Sequence, residues 1–584
     1  MLTKIETIRH SLAHILARAI KEFYPEVKFG IGPDIENGFY YDFSFAKNQN
    51  LSLQDLPKIE KKMKQLVKQN IKFIKKQVST NEAKKIFKNQ PYKLELIKDI
   101  IIKNKNKKIY IYEFADFIDL CAGPHIKSTK DININAFKLN RIAGAYWKGD
   151  KKNPMLTRIY GIAFEDEKKL KDYIIQQEEA KKRDHRILGK KLDLFCFSEL
   201  VGAGLPLYTP KGTILKDILQ DELWQISRKF NVQKVSTPHF AKIKLYEISG
   251  HKDKFGDELF HIKDHYNQNF AVKPVQCPHH NQIYASRLRS YRDLPIRYME
   301  SGMQYRDEKP GEIGGLTRTR GFTVEDGHTY CEMNQVEKEV KILVNIIKKF
   351  YKGFGLWGNH WVSLSVRDYS HPEKYIGEPK DWNKAEKILQ KICNDLKLDA
   401  KKIEGEAALY GPKIDFMFKD ALGNERQLAT VQLDFASPKR FNLVYTNKKG
   451  KNDFVIMIHR AILGSYERFL ALLIEHYAGA FPLWLSPVQI SVIPISEKNN
   501  KYANEIFKQL NENDFRCELK KENETLGKKI RQAQIEKTPY ILIVGDKEQK
   551  SKTISVRERS KGDIGTMKLN KFIEQIQKQI NDRI

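Results

Sequence analysis

The chain has 584 residues, 41% of them hydrophobic, and 103 Lys and Arg against 73 Asp and Glu leave a net charge of +30. That length exceeds what one hydrophobic core accommodates, so about three or four folded domains are expected, and a chain this apolar is not a disordered one. The cysteines, at 121, 196, 277, 331, 393 and 517, do not form a disulfide framework and fit a reducing, cytoplasmic setting. No apolar run approaches the ~20 residues that span a bilayer, and the first residues lack the apolar stretch of a signal peptide. The positive surplus attracts polyanions at long range, which makes nucleic acid the expected partner. The abundance of Lys, Asn and Ile offers a second source for part of that charge, an AT-rich coding sequence.

From the start of the chain, Ile8, Leu12, Ile15 and Leu16 follow helical spacing and predict an amphipathic helix over about 4–22. Its basic character would also suit a targeting helix, a reading set aside because His10 and His14 belong to a motif. Turn residues from Gly30 lead into an aromatic strand at Tyr40 and Tyr41. The charged stretch 168–193 reads as a solvated helical connector. Residues 194–483 mix β-rich runs with long helices, and the segment 447–452 reads as an exposed turn. Beyond Pro487 come a strand (488–494), a helix (500–513), a buried strand (540–545) and a closing helix (567–582), a small α/β pattern. Domains are therefore expected at 1–170, 194–483 and 484–584, joined by a connector at 171–193. No internal repeat or low-complexity linker is visible.

Chemistry concentrates in a few blocks. Cys277, His328 and His459 offer one thiolate and two imidazoles, a set suited to a zinc ion with an open fourth position; taken singly, each also reads as a buried thiol or a satisfied core histidine. Arg306, in Tyr305-Arg-Asp-Glu308, precedes a Gly-rich loop (310–315) and Arg318-Thr-Arg-Gly-Phe322. The block His459-Arg-Ala-Ile-Leu-Gly-Ser-Tyr-Glu-Arg468 has a Gly-rich turn opening a helix, with an Arg placed to bind phosphate bidentately. Nearer the start, His10 and His14 share one helical face, and Cys121-Ala-Gly-Pro-His125 adds a thiol and a third imidazole. That set reads as a second zinc site, or as residues that cap and pack a small domain.

The Arg306 and Arg468 blocks resemble motifs 2 and 3 of class II aminoacyl-tRNA synthetases, with the segment around Pro238 as a candidate motif 1. Lys273-Pro-Val-Gln-Cys277, Phe322-Thr-Val-Glu-Asp-Gly-His328, Tyr410-Gly-Pro-Lys-Ile, Thr430-Val-Gln-Leu-Asp-Phe and Met457-Ile-His459 are similar, in order and spacing, to the threonyl-tRNA synthetase family. The resemblance covers essentially the whole chain. It implies a multidomain α+β and α/β architecture: a class II antiparallel sheet flanked by helices, an N-terminal α+β editing domain and a C-terminal α/β anticodon-binding domain. It also implies a homodimer acting on ATP, threonine and its tRNA, with no membrane partner, one zinc per subunit and magnesium with the nucleotide.

Residue roles follow from the same resemblance. Arg306 and Arg468 would bind the α- and γ-phosphates, with Glu308, Arg318, Phe322, Gln427 and Thr430 completing the ATP site. Cys277, His328 and His459 would hold zinc, and Asp326, Tyr410, Lys413, Gln432 and Ser465 would surround threonine. His251 matches a histidine that assists transfer. His10, His14, Cys121 and His125, with Lys93, Tyr41 and Asp119, would edit seryl-tRNA, and Asn523, Glu548 and Arg557 would read the anticodon. The metal has a physical rationale. Threonine and valine differ by a hydroxyl at nearly equal volume, and a site built to bind the hydroxyl rejects its absence by ~10⁴-fold, whereas serine lacks only a methyl worth ~1–3 kcal/mol and needs a second sieve.

The chain departs from the family pattern at Val275 and Gln276 (usually Met-Asn), His279 (Gly), Gly314 (His) and Val324 (Gln), which bears on pocket fit and acceptor-end contacts. By the same resemblance it is expected to begin at the editing domain, without the ubiquitin-like domain that many bacterial members carry in front. Two other readings remain: a related class IIa enzyme such as a prolyl synthetase with an editing module, and a catalytically silent RNA-binding regulator on the same scaffold.

Overall fold

The computed structural model describes every residue except 1–2, 47–48, 50, 104–107, 151, 359, 421–422, 424 and 584. The chain divides into two compact units, Met1–Glu178 and Glu179–Ile584.

In the first unit, the helix Lys4–Phe23 opens on a capping box in which Thr3 and Glu6 satisfy each other's backbone amides. Its apolar face, with Ile8, Leu12, Ile15 and Leu16 all buried, joins a core with Phe39, Tyr41 and Phe43 of the strand Gly38–Ser44. That strand pairs with Met155–Ala163, which pairs with Phe137–Tyr146, in an antiparallel sheet. A separate sheet joins Phe73–Val78, Ile109–Phe114 and Phe117–Leu120. The predicted connector is two helices, Glu167–Arg183 and His185–Lys191, because the Asp184 side chain accepts from the Arg186 amide and starts a new helix there.

The second unit is organised by an eight-stranded sheet in the order Gln233–Lys234, Ile296–Tyr305, Gly321–Cys331, Ile456–Ser465, Glu425–Asp434, Lys413–Lys419, His360–Val366, Lys401–Glu404, antiparallel except for the outermost pair at each edge. Period-two alternation sorts its strands into an apolar and a polar face. Ile414, Val431, Leu433, Ile458 and Ile462 enter a core shared with the helices Val336–Gly353 and Tyr466–His476. One charged pair is embedded beside that core: Arg460 Nη1 donates to Glu325, whose other oxygen accepts from the Ile462 amide at 3.1 Å. Gly327 makes room for this arginine, since a Cβ there would lie 2.4 Å from Arg460 Nε.

At the C-terminal end a five-stranded sheet runs Cys517–Leu519, Ile490–Pro494, Tyr540–Val544, Ile554–Glu558, Gly562–Met567, its first three strands parallel. The predicted strand, helix and buried strand fall at Ile490–Pro494, Asn500–Glu512 and Tyr540–Val544. The closing helix begins later than expected, at Leu569, because Met567 ends a strand. The predicted turn at 447–452 joins the hairpin strands Val444–Thr446 and Asn452–Phe454.

Breaking a buried ion pair strands one charge in low dielectric, so Glu325→Ala is expected to destabilise the second unit by about 3–5 kcal/mol. Urea unfolding followed at that unit's transition measures this, and a loss below about 1 kcal/mol would show that the pair contributes little.

Candidate active site and a second thiol–imidazole cluster

The polar face of the large sheet assembles residues that the sequence holds far apart. Antiparallel register sets His328 opposite His459, His459 opposite Gln432, and Gln432 opposite Lys413, in one row across four strands. Two residues along, on the same face, Asp326, Ala461, Thr430 and Asp415 form the next row. The helix Cys277–Ala285 begins over this face, and ligand atoms of Cys277, His328 and His459 all lie within 4.8 Å of one another.

The hydrogen bonds fix how His328 presents itself. His280 Nε2 lies 3.1 Å from Glu300 Oε2, so it carries the proton and donates. Burial first, against the help of Glu300, keeps the His280 pKa below its usual value and the ring neutral. Its Nδ1 must then accept, and the 2.7 Å contact with His328 Nδ1 is a bond donated by His328. His328 Nε2 is thereby left with a lone pair; it is buried without a hydrogen-bond partner, and Asp326 Oδ1 stands 3.7 Å away. Burial, then His280, holds the His328 pKa well below the ordinary range. Asp434 Oδ2 supports the His459 ring through Nε2 at 2.9 Å, and Tyr410 stacks on that ring at 4.5 Å. Imidazoles oriented by a second hydrogen bond, as His328 is by His280 and His459 by Asp434, are what a metal ion requires. Burial, then Asp326 and Asp434, pushes the Cys277 thiol pKa well up, a cost that a cation bound to the sulfur would reverse. On this chemistry the three residues fit zinc.

Around them, Asp415 is a hub. Its carboxylate accepts from Lys413 Nζ at 2.7 Å, Gln427 Nε2 at 2.8 Å, Thr430 Oγ1 at 2.7 Å and Ser365 Oγ at 3.0 Å. Gln432 Nε2 donates to Thr430 Oγ1 at 3.2 Å, and Tyr410 donates to Gln432 Oε1 at 2.9 Å. Burial, with Glu325 behind it, lifts the Asp326 pKa to about 7. His251 Nε2 is 4.0 Å from Cys277 Sγ, and burial, then Lys254, lowers its pKa to about 3, so it is neutral. Ser465 caps the helix Tyr466–His476, accepting from the Arg468 amide at 3.2 Å.

Beyond the strand Ile296–Tyr305, the Arg306 guanidinium lies over the rings of Phe255 and Phe322, 4.7 and 5.2 Å from their centroids. Its Nε is buried with no partner, and burial, then Arg468, lowers its pKa to about 10. Arg318 Nε donates to Glu308 at 2.7 Å, and Arg468 Nε donates to the Thr317 carbonyl at 2.9 Å. Crowded guanidiniums, one with an unpartnered N–H, form a receptor for a polyanion.

In the first unit, His10, His14, Cys121 and His125 also have ligand atoms within 4.8 Å of one another. Cys121 Sγ lies 3.3 Å from His10 Nε2 and 3.4 Å from His125 Nε2. The outer nitrogens are engaged: His10 Nδ1 by the Pro124 carbonyl at 3.2 Å, His125 Nδ1 by Ser11 Oγ at 3.1 Å, and His14 Nδ1 by Asp119 at 3.0 Å. Asp119 also pairs with the buried Lys93 at 2.5 Å and accepts from Tyr41 at 2.5 Å. Burial opposes charge throughout, yet Lys93 and His14 hold the Asp119 pKa below the usual range, and Asp119 raises that of His14 to about 9. Against the same burial, hydrogen bonds from His10, His125 and His14 bring the Cys121 thiol down to about 3. Burial, then His14, lowers His125 to about 4. The predicted supporting residues Lys93, Tyr41 and Asp119 are thus in direct contact with the cluster or each other.

In the C-terminal sheet region, Asn523 precedes the helix Leu526–Ile535, Glu548 Oε2 accepts from the Gly545 amide at 2.9 Å, and Arg557 lies in the strand Ile554–Glu558. Asp415, His280 and Glu300 escaped the sequence reading. Asp415 follows directly on the 410–414 block and shares a face with Lys413, a period-two signal that was available; nothing in the sequence links Glu300 to His280.

An antiparallel sheet carrying a partly buried arginine after one strand, and a second arginine in a helix entered from another, has the architecture of a class II aminoacyl-tRNA synthetase core. Residues 260–477 match the class II tRNA synthetase core domain (G, H, P, S and T), 489–579 the anticodon binding domain, and 109–160 the threonyl and alanyl tRNA synthetase second additional domain. The chain is 46% identical to a threonine–tRNA ligase of Porphyromonas gingivalis, over 98% of this chain and 88% of that protein, and 44% identical to one of Gloeobacter violaceus, over 99% and 93%. The RNA binding domain of threonyl-tRNA synthetase from Cryptosporidium parvum superposes with a TM-score of 0.63 at 34% identity, over 68% of this chain and 98% of that one. The chain belongs to the threonine–tRNA ligase family. A prolyl-tRNA synthetase from Cryptosporidium parvum, at 18% identity and a TM-score of 0.53 over 68% of this chain and 75% of that one, shares the fold.

A thiol with an ordinary pKa alkylates about tenfold faster per pH unit up to ~8.5. Cys121, lowered to about 3, is instead a thiolate throughout that window. Its alkylation by iodoacetamide, read on the Cys121 peptide by mass spectrometry, is expected to be nearly flat from about pH 5 to 8 and to fall only towards about pH 3; a tenfold rise per unit would contradict the thiolate.

Proposed function

We propose that this class II synthetase activates threonine with ATP, transfers it to the 3′ end of its tRNA, and hydrolyses seryl-tRNA at a second site. The observation that carries the reading is His328 Nε2, a buried lone pair without a partner, held towards Cys277 and His459 by the relay from Glu300 through His280. When bound there, zinc would supply a Lewis-acid position for the amino and hydroxyl groups of threonine. Asp326, Tyr410 and Gln432 line the same face and would fix the orientation of the amino acid, with Lys413 held by Asp415. Arg306 would take the α-phosphate through its unpartnered Nε–H and stabilise charge as the carboxylate attacks, and Arg468, anchored by Thr317, would hold the γ-phosphate. Phe322 and Glu308 would flank the adenine, while Gln427, Thr430 and Arg318 complete the nucleotide site. Magnesium accompanies ATP in class II synthetases generally. His251, neutral and beside Cys277, would assist transfer.

For editing, Cys121 and the histidines His10, His14 and His125 would position water and the ester, with His14 oriented by Asp119, Lys93 and Tyr41. Asn523, Glu548 and Arg557 would read splayed anticodon bases by edge hydrogen bonds. The working division is an editing domain at 1–170, a connector at 171–193, a catalytic domain at 194–483 and an anticodon domain at 484–584. Intact Arg306, Arg468 and zinc-ligand positions favour an active ligase over a silent RNA-binding regulator.

In ATP–pyrophosphate exchange, threonine is expected to give a strong signal, serine a weaker one, and valine about 10⁴-fold less. Cys277→Ser is expected to lose both bound zinc and threonine-dependent exchange; full activity with unchanged metal content would remove the zinc assignment. His10→Ala combined with His14→Ala is expected to leave exchange intact and let seryl-tRNA accumulate, whereas mischarging equal to the parent's would take the editing role from this cluster.

A further inference from the structure

His185 does chemistry that none of the roles above requires. It opens the short helix His185–Lys191, is 5% exposed, and is clamped at both ring nitrogens. The Leu316 amide donates to His185 Nε2 at 3.1 Å, so that nitrogen is unprotonated. Nδ1 therefore carries the proton and donates to Glu475 Oε1 at 2.7 Å. Although Asp184, His185 and Glu475 bring ligand atoms close together, neither imidazole nitrogen is free to take a metal. The cluster is an orienting device.

What it orients is the end of the Gly-rich loop. Leu316 is fully buried, whereas Pro310–Glu312 is a single exposed turn just before it. One residue on, the Thr317 carbonyl accepts from Arg468 Nε at 2.9 Å, and Arg318 follows with its bond to Glu308. Arg468 and Glu475 belong to the same helix, Tyr466–His476, seven residues or about two turns apart. That helix thus grips the loop twice, directly at Thr317 and through His185 at Leu316. The approach is close: a Cβ on Gly315, whose φ is +55°, would meet His185 Nε2 at 2.4 Å.

We propose that His185 is a positioning residue for nucleotide binding, locking the Leu316–Arg318 segment to the Arg468 helix so that Arg318 and Arg468 meet ATP in a fixed arrangement. Removing the acceptor frees the Leu316 amide from its bond to His185, and the loop's arginines then search for the phosphates at an entropic cost. Threonine, bound on the sheet face, gains nothing from His185.

The inference rests on the ATP site proposed above, and the test separates the two. In ATP–pyrophosphate exchange, His185→Leu, which keeps the volume and removes both hydrogen bonds, is expected to raise KM for ATP about tenfold with KM for threonine unchanged. His185→Gln, whose amide can accept from Leu316 and donate to Glu475, is expected to restore KM for ATP to within about twofold. Should His185→Leu prove too unstable to purify, Glu475→Gln, which removes the carboxylate that fixes the tautomer, is expected to raise KM for ATP about threefold. An unchanged KM for ATP in a folded His185→Leu or Glu475→Gln protein would overturn the inference. So would equal rises in both KM values, or no recovery in a folded His185→Gln protein, since these mark a merely structural role. No threonine-dependent exchange in the parent protein would instead count against the proposed function itself.

Discussion

Cross-strand register in the large antiparallel sheet is the constraint on which the catalytic unit depends. His328 faces His459 because Gly321–Cys331 and Ile456–Ser465 pair as they do, and Gln432 and Lys413 extend the same row through two more strands. A slip of one residue in any of these pairings would send His328, His459, Gln432 or Lys413 into the apolar layer, and a slip of Ile456–Ser465, Glu425–Asp434 or Lys413–Lys419 could bring Ile458, Val431 or Ile414 to the polar face. The apolar layer therefore sets the site geometry: burial of Ile458, Val431 and Ile414 holds the register that aligns the histidines. The Glu325–Arg460 pair sits between site residues in sequence and adds a second, charge-based lock on the same strands.

A polar relay then turns register into chemistry. Alternation places an imidazole on a face but leaves its tautomer undetermined. The chain Glu300–His280–His328 determines it, each proton following from the one before, and leaves a lone pair where a cation can sit. The group of His10, His14, Cys121 and His125 uses the same devices with a different outcome. There Asp119, itself held by Lys93 and Tyr41, favours a charged His14, and the Cys121 sulfur becomes a thiolate among imidazoles. Two thiol–imidazole groups of similar composition thus differ in electrostatics: burial pushes the Cys277 thiol pKa well up, whereas the imidazoles around Cys121 bring its pKa down to about 3.

Much of this was legible in the sequence, for identifiable reasons. Helical spacing at Ile8, Leu12, Ile15 and Leu16 gave the first helix and placed His10 and His14 together, because residues four apart in a helix share a face whatever the tertiary fold. Two of the five C-terminal strands, Ile490–Pro494 and Tyr540–Val544, were readable as short apolar runs, whereas Cys517–Leu519, Ile554–Glu558 and Gly562–Met567 were not. By contrast, no local pattern reveals that Glu300 supports His280, or that His185 reaches Leu316, since these contacts join residues 20 and 131 positions apart through the fold alone. Asp415 is an intermediate case, visible by period two beside Lys413 but without a partner in its own block. The break at Asp184 was missed because charge patterning describes a solvated helix well and its capping residues poorly.

The central claim is that Cys277, His328 and His459 hold zinc through one thiolate and two imidazoles. Zinc-edge X-ray absorption on purified Cys121→Ser protein, which removes the other thiol–imidazole group, tests it most directly. About one zinc per chain is expected, with one sulfur at ~2.3 Å and nitrogen or oxygen neighbours at ~2.0–2.1 Å. Absence of zinc, or a zinc shell without sulfur, would contradict it.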